Sequence, residues 1–379
     1  MADLYIKNGK IYREGRFVQG SLLLKEGRIS GYSDDNSEGS EEFDAEGLFV
    51  LPGLIDRHTH GGFGIDCNRA SASDFRCLSR AFAKEGTSAW MASITADSEE
   101  ATVRVLTEAA RAIEEGSEGA ELLGVHLEGP FLAEEYCGAI SPSYLRCPDT
   151  KLIRRYQEAA RGHLRSMTLA PELDGALELI SACRHLGIRV SLGHSGASWQ
   201  EAMEAKAAGA DAVTHLGNAM RPFHHREPGL LGAALDSDFY AEIIADGVHS
   251  HPAFVRLAER MKGPDRLMLV TDSMMAAGMP DGTYRLGESA VTVRDKVART
   301  GEGNLAGSTL SMVQALRKLK DFTGKALEDL IPYASSNAAA WLGVDDRKGR
   351  ILPGFDADLL LLDESLEVRA VFCKGRLSS

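Results

Sequence analysis

Histidines and carboxylates recur in this sequence at the ends of short apolar runs. The runs finish Asp56-Arg57-His58-Thr59-His60, His126-Leu127-Glu128-Gly129-Pro130, Gly193-His194-Ser195, Thr214-His215 and Thr271-Asp272. Imidazole and carboxylate together suit a divalent ion such as zinc, iron or manganese, and no thiolate joins them. His58 and His60 stand two apart, so on extended backbone both rings turn to one side and can reach the same ion. Glu128 could bind one ion or bridge two, and His194 and His215 could share a second. Asp272 is left as the base. A divalent ion lowers the pKa of its water towards about 7 and polarises a carbonyl. A nearby carboxylate then takes the water proton and delivers it to a leaving amine. The chemistry expected is amide or ester hydrolysis without a covalent acyl-enzyme. A lone buried histidine is more often a satisfied core residue than a ligand. The weight here lies in five candidates and an aspartate, all at strand ends. His126 reads equally as a ligand or as a hydrogen-bonding support for one. His163 and His185 read as surface residues.

These residues must be carried to one place. Eight apolar runs, over 49–56, 88–94, 122–127, 166–170, 189–192, 212–215, 241–245 and 267–271, read as buried parallel strands because apolar and β-branched residues follow one another without polar alternation. Helical stretches lie between them, for example over 73–85, 99–115, 176–186 and 199–208. The alternation predicts an α/β fold, a (β/α)₈ TIM-like barrel, with a doubly wound sheet as the alternative. The barrel is preferred because its strand ends converge on one mouth, where barrel enzymes do their chemistry.

The two ends of the chain read as short strands. Residues 4–6 and 10–12 flank Asn8-Gly9, and 21–24 and 28–30 flank Glu26-Gly27, both in the manner of hairpins. Residues 34–43 are acidic, Ser-rich and read as a loop. Strands are expected again over 359–362 and 368–372. Neither end could stand alone, so 1–53 and 345–379 are expected to form one small β-sandwich domain beside a barrel of 54–344.

The chain has 379 residues, 26% of them charged, and a formal net charge of -13. That balance, with no basic tract, argues against nucleic acid or an anionic membrane as partner, though not against a small anionic substrate held by a local cation. No apolar run is long enough for a membrane span, and the opening residues lack a secretory pattern. The six cysteines form no CxxC pair and read as reduced, mostly packed thiols. A cytoplasmic protein is expected.

Pro52-Gly53-Leu54-Ile55-Asp56-Arg57-His58-Thr59-His60-Gly61 resembles the opening motif of the amidohydrolase superfamily. His126-Leu127-Glu128-Gly129-Pro130-Phe131 is narrower. With Gly193-His194-Ser195, the segment 214–220, Arg226-Glu227-Pro228-Gly229, Asp246-Gly247-Val248-His249 and Leu305-Ala306-Gly307-Ser308, it resembles the N-acetylglucosamine-6-phosphate deacetylase family over nearly the whole chain. The resemblance implies removal of acetate from the 2-acetamido group of an amino-sugar 6-phosphate. It carries metal roles to Glu128, His194 and His215 and the general base to Asp272. His58 and His60 match the two-metal members, so one or two ions are implied, zinc or iron first and manganese or cobalt as alternatives. Asn218 and Ala219 would touch the sugar or its phosphate, Arg226 and His249 the phosphate. Ala139, Leu305, Ala306 and Gly307 would line the sugar pocket, and a homodimer is implied. An arginine fork suits phosphate oxygens, and an acidic protein needs such a cation.

Two departures stand out. Gly138-Ala139-Ile140 replaces a segment whose third residue is usually a histidine, and Gly217 stands where an aromatic is common. The alternatives are a deacetylase for the galactosamine epimer or another N-acyl substrate, a non-catalytic sugar-phosphate sensor, and a cyclic-amide hydrolase or deaminase. The last often needs a modified lysine after the fourth strand, where this chain has Pro171-Glu172.

Overall fold

The computed structural model describes residues 3–32 and 40–378. Eight parallel strands pair in chain order: Leu54–Thr59, Thr87–Thr95, Glu121–Glu128, Leu164–Leu169, Arg189–Leu192, Ala212–Val213, Tyr240–Ile243 and Leu267–Leu269. Their residues are almost all buried, as expected for strands covered by helices on one side and barrel core on the other. The first and eighth strands meet through the residues at the mouth, where the Asp272 N–H donates to the His58 carbonyl at 2.8 Å and the His60 N–H to the Ser273 carbonyl at 2.7 Å. Lower on the same seam, Thr271 donates its hydroxyl to the buried Asp56 carboxylate at 2.5 Å.

The helices expected at 99–115 and 199–208 form as Glu99–Glu115 and Trp199–Ala208. Ser98 and Ser198 cap them by accepting backbone N–H groups of the first turn. The first buries Val105, Leu106, Ala109 and Ala112 on one face.

Four expectations are corrected. The run 49–56 is not one strand. It breaks at Gly53, so that Phe49–Pro52 joins the terminal sheet while Leu54–Thr59 enters the barrel. Asn8-Gly9 is not a hairpin turn. The strand Leu4–Arg13 runs through it with a register shift between Ile6 and Gly9, and its halves pair with different strands, Glu41–Asp44 and Phe49–Pro52. Asn8 supplies the local bend from left-handed backbone at φ 61°. The expected loop at 34–43 lies partly outside the described residues, and its end belongs to the strand Glu41–Asp44. Finally, an antiparallel sheet of Gly282–Leu286, Ser289–Arg294 and Val297–Thr300 follows the eighth barrel strand, where none was expected.

Strands from both ends share one sheet, folded around Ile6, Leu22, Ile29, Val50, Leu361 and Phe372 in a sandwich-like arrangement. The Glu26-Gly27 hairpin forms as expected. This sheet is bolted to the barrel floor by charge. The nearly inaccessible Lys348 ammonium reaches Asp358 at 2.5 Å, Glu121 at 3.0 Å and Asp356 at 3.1 Å, and Arg347 bridges Glu121 and Asp356. No cysteine is disulfide-bonded among the described residues. Cys67, Cys183 and Cys373 are packed, whereas Cys77 and Cys147 are exposed, so fewer are buried than expected. No described helix is long and apolar enough to cross a membrane.

Candidate active site

The six residues read from the strand ends meet at the barrel mouth in two adjoining groups. His58, His60 and Asp272 form one, and Glu128, His194 and His215 the other. Within each group the donor atoms lie within 4.8 Å of one another, and all six residues are buried. Glu128 joins the groups. Its Oε1 lies 3.1 Å from His215 Nε2, 3.2 Å from His194 Nε2 and 3.4 Å from His58 Nε2, and its Oε2 lies 3.3 Å from His60 Nε2. Asp272 Oδ1 stands 3.2 Å from His60 Nε2 and 3.5 Å from His58 Nε2. It therefore faces the first group as a donor atom, not only as a distant base.

Three of the four rings are held from behind, while His215 Nδ1 has no hydrogen-bond partner among the described residues. His60 Nδ1 is 3.2 Å from the Ser93 carbonyl and His194 Nδ1 is 2.8 Å from the Tyr136 carbonyl. A carbonyl can only accept, so each Nδ1 carries the proton and each Nε2 turns a lone pair inward. His58 does the same through Nδ1 to Glu242 at 3.0 Å. Several inward-facing imidazole nitrogens and two carboxylates around one buried volume are the donor set a borderline divalent ion prefers. The electrostatics agree. Burial works against charge on His58 and His60, yet Asp272 and Glu128 pull both pKa values up, with Glu242 adding to the effect on His58, and that of His60 rises to about 9. Burial likewise works against the Glu128 carboxylate, but the surrounding imidazoles hold it well below the usual range. The carboxylates demand positive charge between them, which a divalent cation supplies more fully than protons.

The backbone at these positions is unusual. His194, His215, Ala219 and Asp272 all adopt left-handed backbone, with φ of 50°, 27°, 49° and 48°. Such conformations are costly outside glycine and persist only where neighbours enforce them. The neighbours are visible. Glu172, after the fourth strand, accepts from the Ser195 hydroxyl at 2.7 Å and the Gly196 N–H at 2.6 Å, fixing the bend beyond His194. Behind Asp272, the Ser308 N–H donates to its carbonyl at 2.7 Å. Gly307, at φ 70°, presses so closely that an added Cβ would sit 2.9 Å from that oxygen.

The remaining sequence-predicted residues are placed unevenly. Asn218 and Ala219 follow directly on His215, with the Asn218 amide donating to the His215 carbonyl at 3.2 Å. His249 is tied to Asp246 at 2.6 Å, and this carboxylate outweighs burial to raise the imidazole pKa. Ala306 packs with Met274, and Ala139 lies against the same cluster. Leu305 is half-buried on the strand side of Arg299, to which it pairs. Arg226 is not gathered into the cluster. It is exposed and donates to His225 at 2.9 Å. His251 caps the helix Pro252–Lys262. His126 is a support and not a donor to the centre, since both its nitrogens are spent on Ser93 and Thr168 while its ring packs on His58. His185 is exposed, and His163 half-buried beside Glu114. Gly217 also has a local reason, because the Phe254 ring fills the space beside it and an added Cβ would meet that ring at 2.9 Å.

Sequence reasoning missed Arg57 and Glu242, both fully buried and ion-paired beside His58. The available signal was a charged residue that lies inside each of two strands read as buried and is not needed as a ligand.

Comparison with known proteins points one way. The amidohydrolase family model matches residues 49–378. The N-acetylglucosamine-6-phosphate deacetylase of Bacillus subtilis (strain 168) is 41% identical across 99% of this chain and 97% of its own length. The N-acetylgalactosamine-6-phosphate deacetylase of Escherichia coli O157:H7 is 38% identical across 89% of each chain. Among solved structures, a mutant N-acetyl-D-glucosamine-6-phosphate deacetylase from Mycobacterium smegmatis, in complex with N-acetyl-D-glucosamine-6-phosphate, superposes with a TM-score of 0.93 at 32% identity over all of both chains.

Proposed function

This chain belongs to the amidohydrolase family, among its N-acetylglucosamine-6-phosphate deacetylases, and from that membership and the site geometry we propose that it hydrolyses the 2-acetamido group of N-acetylglucosamine 6-phosphate to glucosamine 6-phosphate and acetate. The observation that carries the reading is the pair of donor groups joined by Glu128, with Asp272 Oδ1 facing inward. His58, His60, Glu128, His194 and His215 would hold one or two divalent ions, zinc or iron before manganese or cobalt. Such an ion, when bound, supplies Lewis-acid polarisation of the amide carbonyl and makes water acidic enough to attack near neutral pH.

The protein's own groups do the rest. Asp272 takes a proton from the attacking water and passes it to the amine nitrogen as the C–N bond breaks. The tie behind its carbonyl keeps it aimed at the centre. Asn218 and Ala219, one turn beyond His215, are assigned to the sugar, with Ala139, Leu305, Ala306 and Gly307 lining the pocket. Arg226 and His249 are assigned to the phosphate, and the raised pKa of His249 favours a cationic ring there. The small-molecule substrate is the partner assigned, with a second copy of the chain as homodimer and the cytoplasm as location. Residues 1–53 and 345–379 are assigned to the terminal domain and 54–344 to the barrel, supported by the shared terminal sheet.

The test is acetate release from N-acetylglucosamine 6-phosphate and from its galactosamine epimer, with metal analysis of the same sample. Release from the first compound is expected. Metal-loaded protein that releases no acetate from it refutes the assignment, and faster release from the epimer moves it to the second substrate.

A further inference from the structure

We infer that Arg57 and Glu242 are positioning residues that commit His58 to metal ligation and so set the occupancy of the His58–His60–Asp272 group. The inference rests on the metal reading above. Neither residue belongs to the donor set, and both are fully buried. The Arg57 guanidinium pairs with Glu242 Oε1 and lies over the Trp341 ring, its Cζ 3.9 Å from the centroid. The other carboxylate oxygen does two things. It sits 3.0 Å from His58 Nδ1 and accepts the His215 N–H at 2.9 Å.

Stability is a poor explanation for this arrangement. A buried ion pair rarely repays its desolvation, and well-packed apolar residues often serve as well or better. Here the cost is larger than usual, because Arg57 Nε and Nη2 have no hydrogen-bond partner among the described residues. What the pair does deliver is direction. A carboxylate can only accept, so Glu242 requires the proton on Nδ1 and leaves Nε2 as the nitrogen turned to the centre. That nitrogen faces His60 Nε2 at 3.1 Å, Glu128 at 3.4 Å and Asp272 at 3.5 Å. Arg57 prevents Glu242 from turning towards the ion itself. Carboxylates behind metal-binding imidazoles commonly have this function, and their loss costs about 10–100-fold in metal affinity. The two contacts differ in kind. Glu242 orients the ring of His58, but touches only the main chain of His215, whose Nδ1 has no hydrogen-bond partner among the described residues. The effect should therefore fall on the His58 group.

The experiment uses full-length protein stripped with chelator and titrated with Co²⁺, read by absorption, with ions per chain counted after gel filtration. Glu242→Gln tests the carboxylate. Because it leaves Arg57 buried without a counter-charge, the neutral pair Arg57→Leu with Glu242→Leu is run beside it, with circular dichroism of both metal-free proteins. Wild-type protein is expected to take up two ions. In both variants one ion is expected to weaken by about 10–100-fold while the other holds within a few-fold. A folded double variant that binds both ions like wild type overturns the inference, as does equal weakening of both ions or a wild-type chain that takes up a single ion. A wild-type chain that binds no ion fails the metal reading itself, and this inference falls with it.

Discussion

Gly307→Ala should separate substrate-pocket lining from support of the base. Gly307 contributes no side chain, yet its Cα lies against the turn that carries Asp272. An alanine Cβ would stand 2.9 Å from the Asp272 carbonyl oxygen and 3.2 Å from Met274 Cβ. One neighbour is main chain, so it cannot rotate away. The turn must retreat by roughly half an ångström to restore ordinary van der Waals separation. Two costs follow. The φ of 70° carries a left-handed penalty of about 1–2 kcal/mol for an L-residue. The retreat also moves Asp272, and since a displacement of 1 Å can cost about 100-fold in rate, half of that gives roughly a 10-fold loss in kcat. The Ser308 N–H to Asp272 carbonyl bond should lengthen with it. The assay is steady-state acetate release with a urea unfolding curve on the same preparation. A fall in kcat with KM little changed, together with a stability loss of about 1–2 kcal/mol, is expected. An alanine variant with wild-type kcat and reduced stability would show that the turn does not aim the base, and the argument would fail.

Asp272→Asn should lower kcat by about 100- to 10,000-fold, the range for loss of a proton-shuttling group, and single-turnover acetate release would show it. Lys348→Met should cost about 3–5 kcal/mol, because it strands the buried Asp358 without its cation, whereas Asp356 keeps Arg347; urea unfolding that shifts by less than about 1 kcal/mol would refute the bolt between terminal sheet and barrel. Lys262 gives a pH signature. Its ammonium is buried, donates to the Ala234 and Ser237 carbonyls, and burial lowers its pKa to about 8 from an ordinary 10.5. Between those values the unfolded chain holds more protons than the folded one, so this residue makes stability rise with pH from about 8 to about 10. Across that window wild-type stability should rise relative to that of Lys262→Met, and parallel pH profiles would contradict the shift.

The barrel was legible because burial on both faces leaves continuous apolar runs, as in 88–94 and 189–192. The centre was legible because barrel geometry brings the ends of such runs together, so residue type at those ends was enough. What failed had a physical reason in each case. Asn8-Gly9 has turn composition, but composition does not distinguish a turn from a bulge when both need left-handed backbone. The sheet at 282–300 makes its second turn through Asp295 and Lys296, both at positive φ without glycine or asparagine, and only Gly287, at φ 55° in the first turn, offered a turn signal. Arg57 and Glu242 could not be paired from sequence because 185 positions separate them, and only closure of the barrel makes them neighbours. Arg226 shows the opposite limit. Its motif was plain, but a motif does not say that a side chain lies inside the cluster.

The seam of the barrel has a mechanical meaning. The first and eighth strands share few main-chain bonds, and those few lie beside His58, His60 and Asp272. Donors to one ion thus stand on both banks of the barrel's weakest closure. A cation coordinated there would act as a clasp, fastening the wall while it serves the chemistry. Chelation should then loosen that wall first, with amide protons of His60 and Asp272 exchanging sooner than those of the third and fourth strands.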